Sequence, residues 1–396
     1  VLDDNSRISL SNNDSGGTGG RDSTSSNTVF GYHAGNNIAS GSVVNTFIGH
    51  ASGSGSLDNA QNNVGVGAET LQGLTTGDSN VVIGSYGAFG LNTASRNIIV
   101  GTDAGFAITS GNENVAVGNR ALGTADTATF NVAVGGDSMF SIPTGQAVTG
   151  VVAVGLEACK GSSSTTTGID GSVAVGRASL KNITTGGGNT AVGFEALKTI
   201  STGTTSTAVG FEALELATGS GNTALGYEAG NVISTGIENT IVGGFSNPSA
   251  NNATNQTVVG SGVTGQANNA VTLGNSSVTA VYMAQDGDAV MYADGTINTS
   301  DKRLKENISD SDLGLAFVNA LRPVSYNLKS KKHSAKLKYG IIAQEVQEVL
   351  KESGNEDFAG ITEKGEYLGA DYVQFIAPLI KAVQELSAKV AELEKK

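Results

Sequence analysis

The side chains best suited to covalent chemistry lie near position 300, where Thr299-Ser300-Asp301-Lys302-Arg303-Leu304-Lys305-Glu306-Asn307 sets a hydroxyl and an amine five residues apart. A serine hydroxyl is a poor nucleophile until a base removes its proton. Lysine serves as that base only as the neutral amine, so burial or neighbouring cations such as Lys302 and Arg303 must pull its pKa down from ~10.4. A Lys305 left in water would be inert. The other candidates carry less. His33, His50 and His333 are scattered along the chain, and the Gly-x-Gly runs lack the strand-loop-helix setting of a nucleotide motif. Cys159 is the single cysteine, which leaves no intrachain disulfide framework and no thiolate metal cluster. It stands where sister segments read Glu-Ala-Leu, and so reads as a small apolar core residue. Glu157, Glu195, Glu212 and Glu228 share one repeat phase and are expected to form a solvated acidic row. No cofactor and no metal is expected.

The elements that must position Ser300 and Lys305 follow from a change of material along the chain. With 56 glycines, 5 % aromatics and no tryptophan among 396 residues, bulky side chains do not build the core. Residues 1–299 carry 8 Lys/Arg against 21 Asp/Glu, whereas residues 300–396 carry 15 of each, so the net charge of −13 belongs to the first part. An acidic body with so few cations cannot neutralise a phosphate backbone, which excludes nucleic acid and disfavours anionic membranes. No stretch approaches the ~20 apolar residues that span a bilayer, and no basic-then-apolar signal segment opens the chain.

A repeat organises the first three quarters. The unit Asn-x-(Val/Ala/Ile)-(Val/Ile/Leu)-Gly recurs in fifteen copies from Asn27 to Gly274, mostly 17 residues apart. Within a copy, a short strand such as Thr190-Ala191-Val192 ends at a glycine; Phe194-Glu195-Ala196-Leu197 follows, and then a Thr/Gly turn. Each copy is expected to be a bent strand pair, too small to fold alone. Stacking lets Ala and Val fill a narrow interior, asparagines form a ladder, and glycine supplies the corner. The expected fold is mainly β: a β-solenoid or β-roll rod of roughly 70 Å at the ~4.8 Å strand spacing. So thin a coil buries little apolar surface, and three chains side by side would complete its core. The longer spacings near Gly155 and Gly176 mark 138–149 and 161–171 as exposed loops suited to receptor contact.

Beyond the repeats, Val278 to Asn298 alternates as connecting strands, Asp312 to Leu321 reads as a helix with Leu313, Phe317 and Leu321 on one face, and Val324, Tyr326 and Leu328 alternate as a strand. Tyr339-Gly340-Ile341-Ile342-Ala343-Gln344-Glu345-Val346 leads from a strand into a second helix. Ile376, Leu379, Val383, Leu386, Val390 and Leu393 keep the 3-4 spacing of a short coiled coil. The expected domains are a lead-in over 1–26, the repeat body over 27–275, a β connector over 276–299, a small α+β domain over 300–372 and a coiled-coil helix over 373–396.

The blocks Ser-Asp-Lys-Arg-Leu-Lys-Glu-Asn-Ile and Tyr-Gly-Ile-Ile-Ala-Gln-Glu-Val resemble the intramolecular chaperone domain of phage endosialidases and tail spikes, the S74 peptidase family. The repeats, such as Asn114-Val115-Ala116-Val117-Gly118, resemble the head repeats of trimeric autotransporter adhesins. The first resemblance implies a homotrimeric phage tail fibre or spike whose tail domain templates folding and then cuts itself off. It makes Thr299–Ser300 the scissile bond, Ser300 the nucleophile and Lys305 the base, with Asp301 and Asn307 supporting the loop. The partners it implies are a host-surface receptor, glycan or outer-membrane protein, and other virion tail proteins, after assembly in the host cytoplasm. The alternatives are a glycan-degrading tail spike and a bacterial trimeric surface adhesin.

Overall fold

The structure is a computed structural model. It describes residues 26–39, 41–162, 166–281, 300–327, 337–364 and 367–395. The expected lead-in up to residue 25, most of the connector, Leu328 and His333 lie outside the described residues. The chain divides into two compact units, Val1–Ala289 and Val290–Lys396.

In the first unit every repeat contributes one three-residue strand to a fifteen-stranded parallel sheet whose strand order is the chain order. Registers match residue for residue, as in Thr190↔Thr207, Ala191↔Ala208 and Val192↔Val209. In every strand but the first and last the middle residue is buried and its two neighbours point outward, as in Val115–Val117. The expected β-solenoid is therefore present, with one difference inside each coil. The segment expected to be a second strand is a turn: Glu195 and Leu197 sit at φ 55° and 50°, and the equivalent Glu212 and Leu214 at 51° and 53°. A chain that must close a coil in 17 residues cannot afford two extended legs, and left-handed residues tighten the bend.

Three columns hold the coils together. Asparagines 27, 45, 63, 80, 97, 114 and 131 are all buried and form the ladder. At Asn97, Oδ1 accepts from the Asn114 backbone N–H at 2.9 Å and from its Nδ2 at 3.0 Å, while Asn114 Nδ2 also donates to the Ala128 carbonyl at 2.7 Å. The strand-ending glycines stack at φ near +135°, and a Cβ on Gly193 would fall on the Gly210 carbonyl, so only glycine fits that corner.

The third column is the apolar core, in which the strand-centre residue faces the residue six positions later. Phe47 meets Gly53 and Ile99 meets Gly105, whose added Cβ would lie 2.8 Å from the Ile99 Cδ1. In most coils with a small strand centre the partner is large, as in Ala116 with Leu122, Ala133 with Met139 and Ala191 with Leu197. The Ala224 coil, whose partner is Gly230, is filled instead by Leu214 and Ile241 of the adjoining coils, as a close-packed interior requires. Cys159 occupies this column opposite Ala153 and is fully buried, as its sister segments suggest.

The second unit has its own core of Leu313, Phe317, Val346, Leu350 and Phe375. Helix α1 is Leu315–Ala320, α2 is Ala343–Ser353 and α3 is Ile376–Leu393. Two antiparallel pairs accompany them, Val324–Tyr326 with Lys338–Gly340 and Ile361–Lys364 with Tyr367–Ala370. α1 is shorter than the pattern Asp312 to Leu321 suggests. Its N-terminus begins after Gly314, and the Leu315 backbone N–H donates to the Glu385 carboxylate of α3 at 2.8 Å. Leu313 and Phe317 still enter the core, and Leu321 packs against it.

Candidate functional site

Ser300 and Lys305 flank a single turn of 3-10 helix, Lys302–Leu304. Asp301 caps it: its carboxylate accepts from the Arg303 backbone N–H at 2.9 Å. At the other end the Lys305 N–H closes onto the Lys302 carbonyl at 3.2 Å. A turn of this pitch folds the chain back on itself between residues 300 and 305. The consequence is direct contact, with Lys305 Nζ donating to Ser300 Oγ at 2.7 Å.

The surrounding charges differ from the expectation in one respect. Arg303 does not stand by to repel a proton from Lys305: its guanidinium is paired with Asp301, with Nη2 to Oδ2 at 2.6 Å. That pairing holds the Asp301 carboxyl below its usual range and raises Arg303. An i, i+2 ion pair satisfies both groups locally, leaving Lys302, of the two cations expected to act on Lys305, without an ion-pair partner among the described residues. Asn307 adopts φ 53°, a left-handed turn that asparagine tolerates, and so shapes the exit from the loop. Ser300 and residues 302–310 are exposed, so within one chain the dyad is wet. Thr299, whose carbonyl the family resemblance makes the target of Ser300, lies outside the described residues.

Ser300 opens the match to a known family. Residues 300–355 match the Peptidase S74 family, chaperone of endosialidase. The match runs from the dyad to just beyond the end of α2 and so includes both sequence blocks. No curated protein matches the chain. A chaperone-of-endosialidase segment behind a β-solenoid fits a protein of the phage tail fibre or spike type.

The Peptidase S74 segment also explains residues whose role the motif alone leaves open. In Tyr339-Gly340-Ile341, the Tyr372 hydroxyl accepts from the Ile341 N–H at 3.2 Å and occupies the space a Gly340 side chain would need. Neither Tyr372 nor Glu385 is signalled locally, because both act on segments tens of residues away. Elsewhere, the repeat brings His33 and His50 around Tyr32, with the Tyr32 and His50 rings 5.7 Å apart. Two members of the acidic row are held by lysines: Glu157 contacts Lys160 and Lys181 at 2.7 Å each, and Lys198 joins Glu195 to the off-phase Glu215 at 2.7 and 3.1 Å. Among the described residues no group of three His, Cys, Asp or Glu is placed to hold a metal, and no helix is long and apolar enough to cross a membrane.

Of the loops expected to be exposed, 138–149 is tied to its neighbours: the Asp126 carboxylate accepts from the Gly145 N–H at 2.8 Å and the Asp170 carboxylate from the Thr149 N–H at 2.7 Å. Residues 163–165 of the second loop lie outside the described residues.

Proposed function

We propose that the chain is the distal part of a homotrimeric phage tail fibre or spike: a rod that meets a host-surface receptor, followed by a chaperone segment that templates the trimer and then removes itself by cutting Thr299–Ser300. The observation that carries the reading is the 2.7 Å contact between Lys305 Nζ and Ser300 Oγ at the first residue of the family match.

The chemistry is an N-to-O acyl shift. Once Lys305 has lost its proton, the hydrogen bond reverses and the Ser300 hydroxyl donates to Nζ. Oγ attacks the Thr299 carbonyl carbon through a five-membered ring, and its proton passes to Lys305. When the C–N bond breaks, the same proton goes to the departing Ser300 amine. An ester now links Thr299 to Oγ, and water hydrolyses it to the Thr299 carboxylate and a free Ser300. Because the dyad is wet in one chain, docking of a second and third copy is the step that would desolvate Lys305 and favour the neutral amine. Cleavage would then report assembly.

Helix α3 supports the association. Ile376, Leu379, Val383, Leu386, Val390 and Leu393 form a continuous 3-4 seam, and every one is exposed, from 45 to 68 %. An apolar seam of that length is covered in water by like helices. The test is denaturing electrophoresis with mass spectrometry of the wild type beside Ser300→Ala and Lys305→Gln. The wild type should yield fragment 300–396, and both variants should stay whole. A wild type that remains intact as an assembled trimer would sink the autoproteolytic reading.

A further inference from the structure

Each three-residue strand turns its middle side chain inward and its first and third outward. In the third position, from Phe30 and Ile48 through Val117 to Leu225 and Leu273, all fifteen strands carry only Val, Ile, Leu or Phe. In the first position they carry only Val, Ile or Thr. No charge interrupts either column, although the body is strongly acidic. Ile98, Leu225 and Leu273 are 49, 50 and 48 % exposed.

Fifteen strands at ~4.8 Å, each about 10 Å long, make a flat apolar footprint of roughly 700 Å². A lone soluble chain rarely leaves a contiguous apolar patch above a few hundred Å² in water. A stable protein interface takes about 800 Å² from each partner, so this face is the right size for one.

We propose that the outward sheet face is an interface between copies of this chain, docked with their rods parallel and in register. The proposal rests on the trimeric reading above and names the surface that reading requires. A second copy is the occupant because the face is uncharged and self-complementary over its whole length.

Direction follows from the first column, which is Val or Ile from Val64 to Val173 and Thr from Thr190 to Thr257. Antiparallel docking would press Thr rows onto Val rows and bury hydroxyls without partners, which is unfavourable. Parallel docking sets Thr against Thr, where hydroxyls pair, and aliphatic rows against aliphatic rows.

The test uses the full chain carrying Ser300→Ala, so that its tail stays attached. Val100→Cys, Val209→Cys and the exposed control Thr144→Cys are each treated with a short bismaleimide, and mass is read by light scattering; native Cys159 is buried and does not compete. Like-with-like cross-links at Val100→Cys and at Val209→Cys, none between the two in mixed samples and none at Thr144→Cys, are expected. A trimer without face cross-links, or one that joins Val100→Cys to Val209→Cys as antiparallel overlap would, overturns the sheet interface and leaves the fibre reading standing. A dimer cross-linked like with like keeps the interface and overturns threefold association. A monomer overturns both.

Discussion

Asn114→Ala is the sharpest probe of how the rod is held. The Asn114 carboxamide is buried and makes four hydrogen bonds: Nδ2 to Asn97 Oδ1 at 3.0 Å and to the Ala128 carbonyl at 2.7 Å, and Oδ1 from the Asn131 backbone N–H and Nδ2 at 3.1 Å each. Truncation deletes all of them and strands the Asn131 N–H and the Ala128 carbonyl away from water. At about 1 kcal/mol per net bond, and more for groups left unpaired, the loss is about 4 kcal/mol. That is a large share of the 5–15 kcal/mol typical of a folded domain. In a solenoid the damage falls on two neighbouring coil interfaces, since stability is summed from nearest neighbours.

Urea unfolding of the full chain, followed by far-UV circular dichroism, should lower the midpoint with little change in slope. Asn112→Ala is the matched control: its carboxamide, in a half-buried setting, accepts from the Ser95 N–H at 2.7 Å and donates to the Ser110 carbonyl at 3.1 Å. Water can replace those bonds, so the control should lose under about 1 kcal/mol. Asn114→Asp adds a sign. The new oxygen would face the Ala128 carbonyl and Asn97 Oδ1, which raises its folded-state pKa above the unfolded ~3.9. The native state then binds the extra proton, so the penalty is full at pH 7 and shrinks as pH falls through the raised value. If Asn114→Ala and Asn112→Ala cost the same small amount, the ladder does not hold the coils and the reasoning fails.

Two further outcomes follow from the same geometry. Ala116→Ile should cost about 1–3 kcal/mol by overpacking against Leu122, and adding Leu122→Gly should recover much of it, since the Ile99 coil already pairs isoleucine with Gly105; equal costs in the single and double variants would refute size compensation. Lys160 and Lys181 hold the Glu157 carboxyl at about 2, down from 4.5, so its contribution is present above pH 4.5 and lost as pH falls toward 2. Screened by solvent, that contribution is ~1 kcal/mol, and in an acid titration of stability Glu157→Gln should flatten this part of the curve.

The period, the strands, the asparagine ladder and the corner glycines are legible in the sequence because each is a local stereochemical demand repeated coil after coil. The turn at Phe194–Leu197 is not. Its alternation of Glu outside and Ala inside copies a strand, and neither Glu195 nor Leu197 is a residue that seeks φ near +50°. Coil closure imposes that conformation. The pairing of Phe47 with Gly53, or Ala116 with Leu122, becomes readable only once positions six apart are known to face each other. At the candidate site, the Ser300 and Lys305 spacing survives into contact because one turn joins them. Arg303 pairs with Asp301 two residues away instead of acting on Lys305, a choice the charged motif leaves open, and Glu385 reaches Leu315 from a distant helix, which no local pattern announces.

The uniformity that makes the repeat legible also makes its register degenerate. A coil that skips one neighbour still sets Asn on Asn, Gly on Gly and apolar strand on apolar strand, forfeiting one coil interface while keeping the rest. Near-equal alternatives of this kind trap a folding chain, and unpaired strand edges meanwhile expose it to wrong partners. The templating proposed above for the C-terminal segment would have a physical task in such a system: to start the stack at one defined coil. Within the body, only departures from the repeat distinguish one register from the next. The ladder is interrupted at Val151 and thinned to the weaker Ser172 Oγ, which accepts from the Asn189 N–H at 3.4 Å. The first strand column changes from Val173 to Thr190 one coil later. These irregular coils cost hydrogen bonds, and in the homotrimer proposed above they are where the sequence would tell the associating rods that they are aligned.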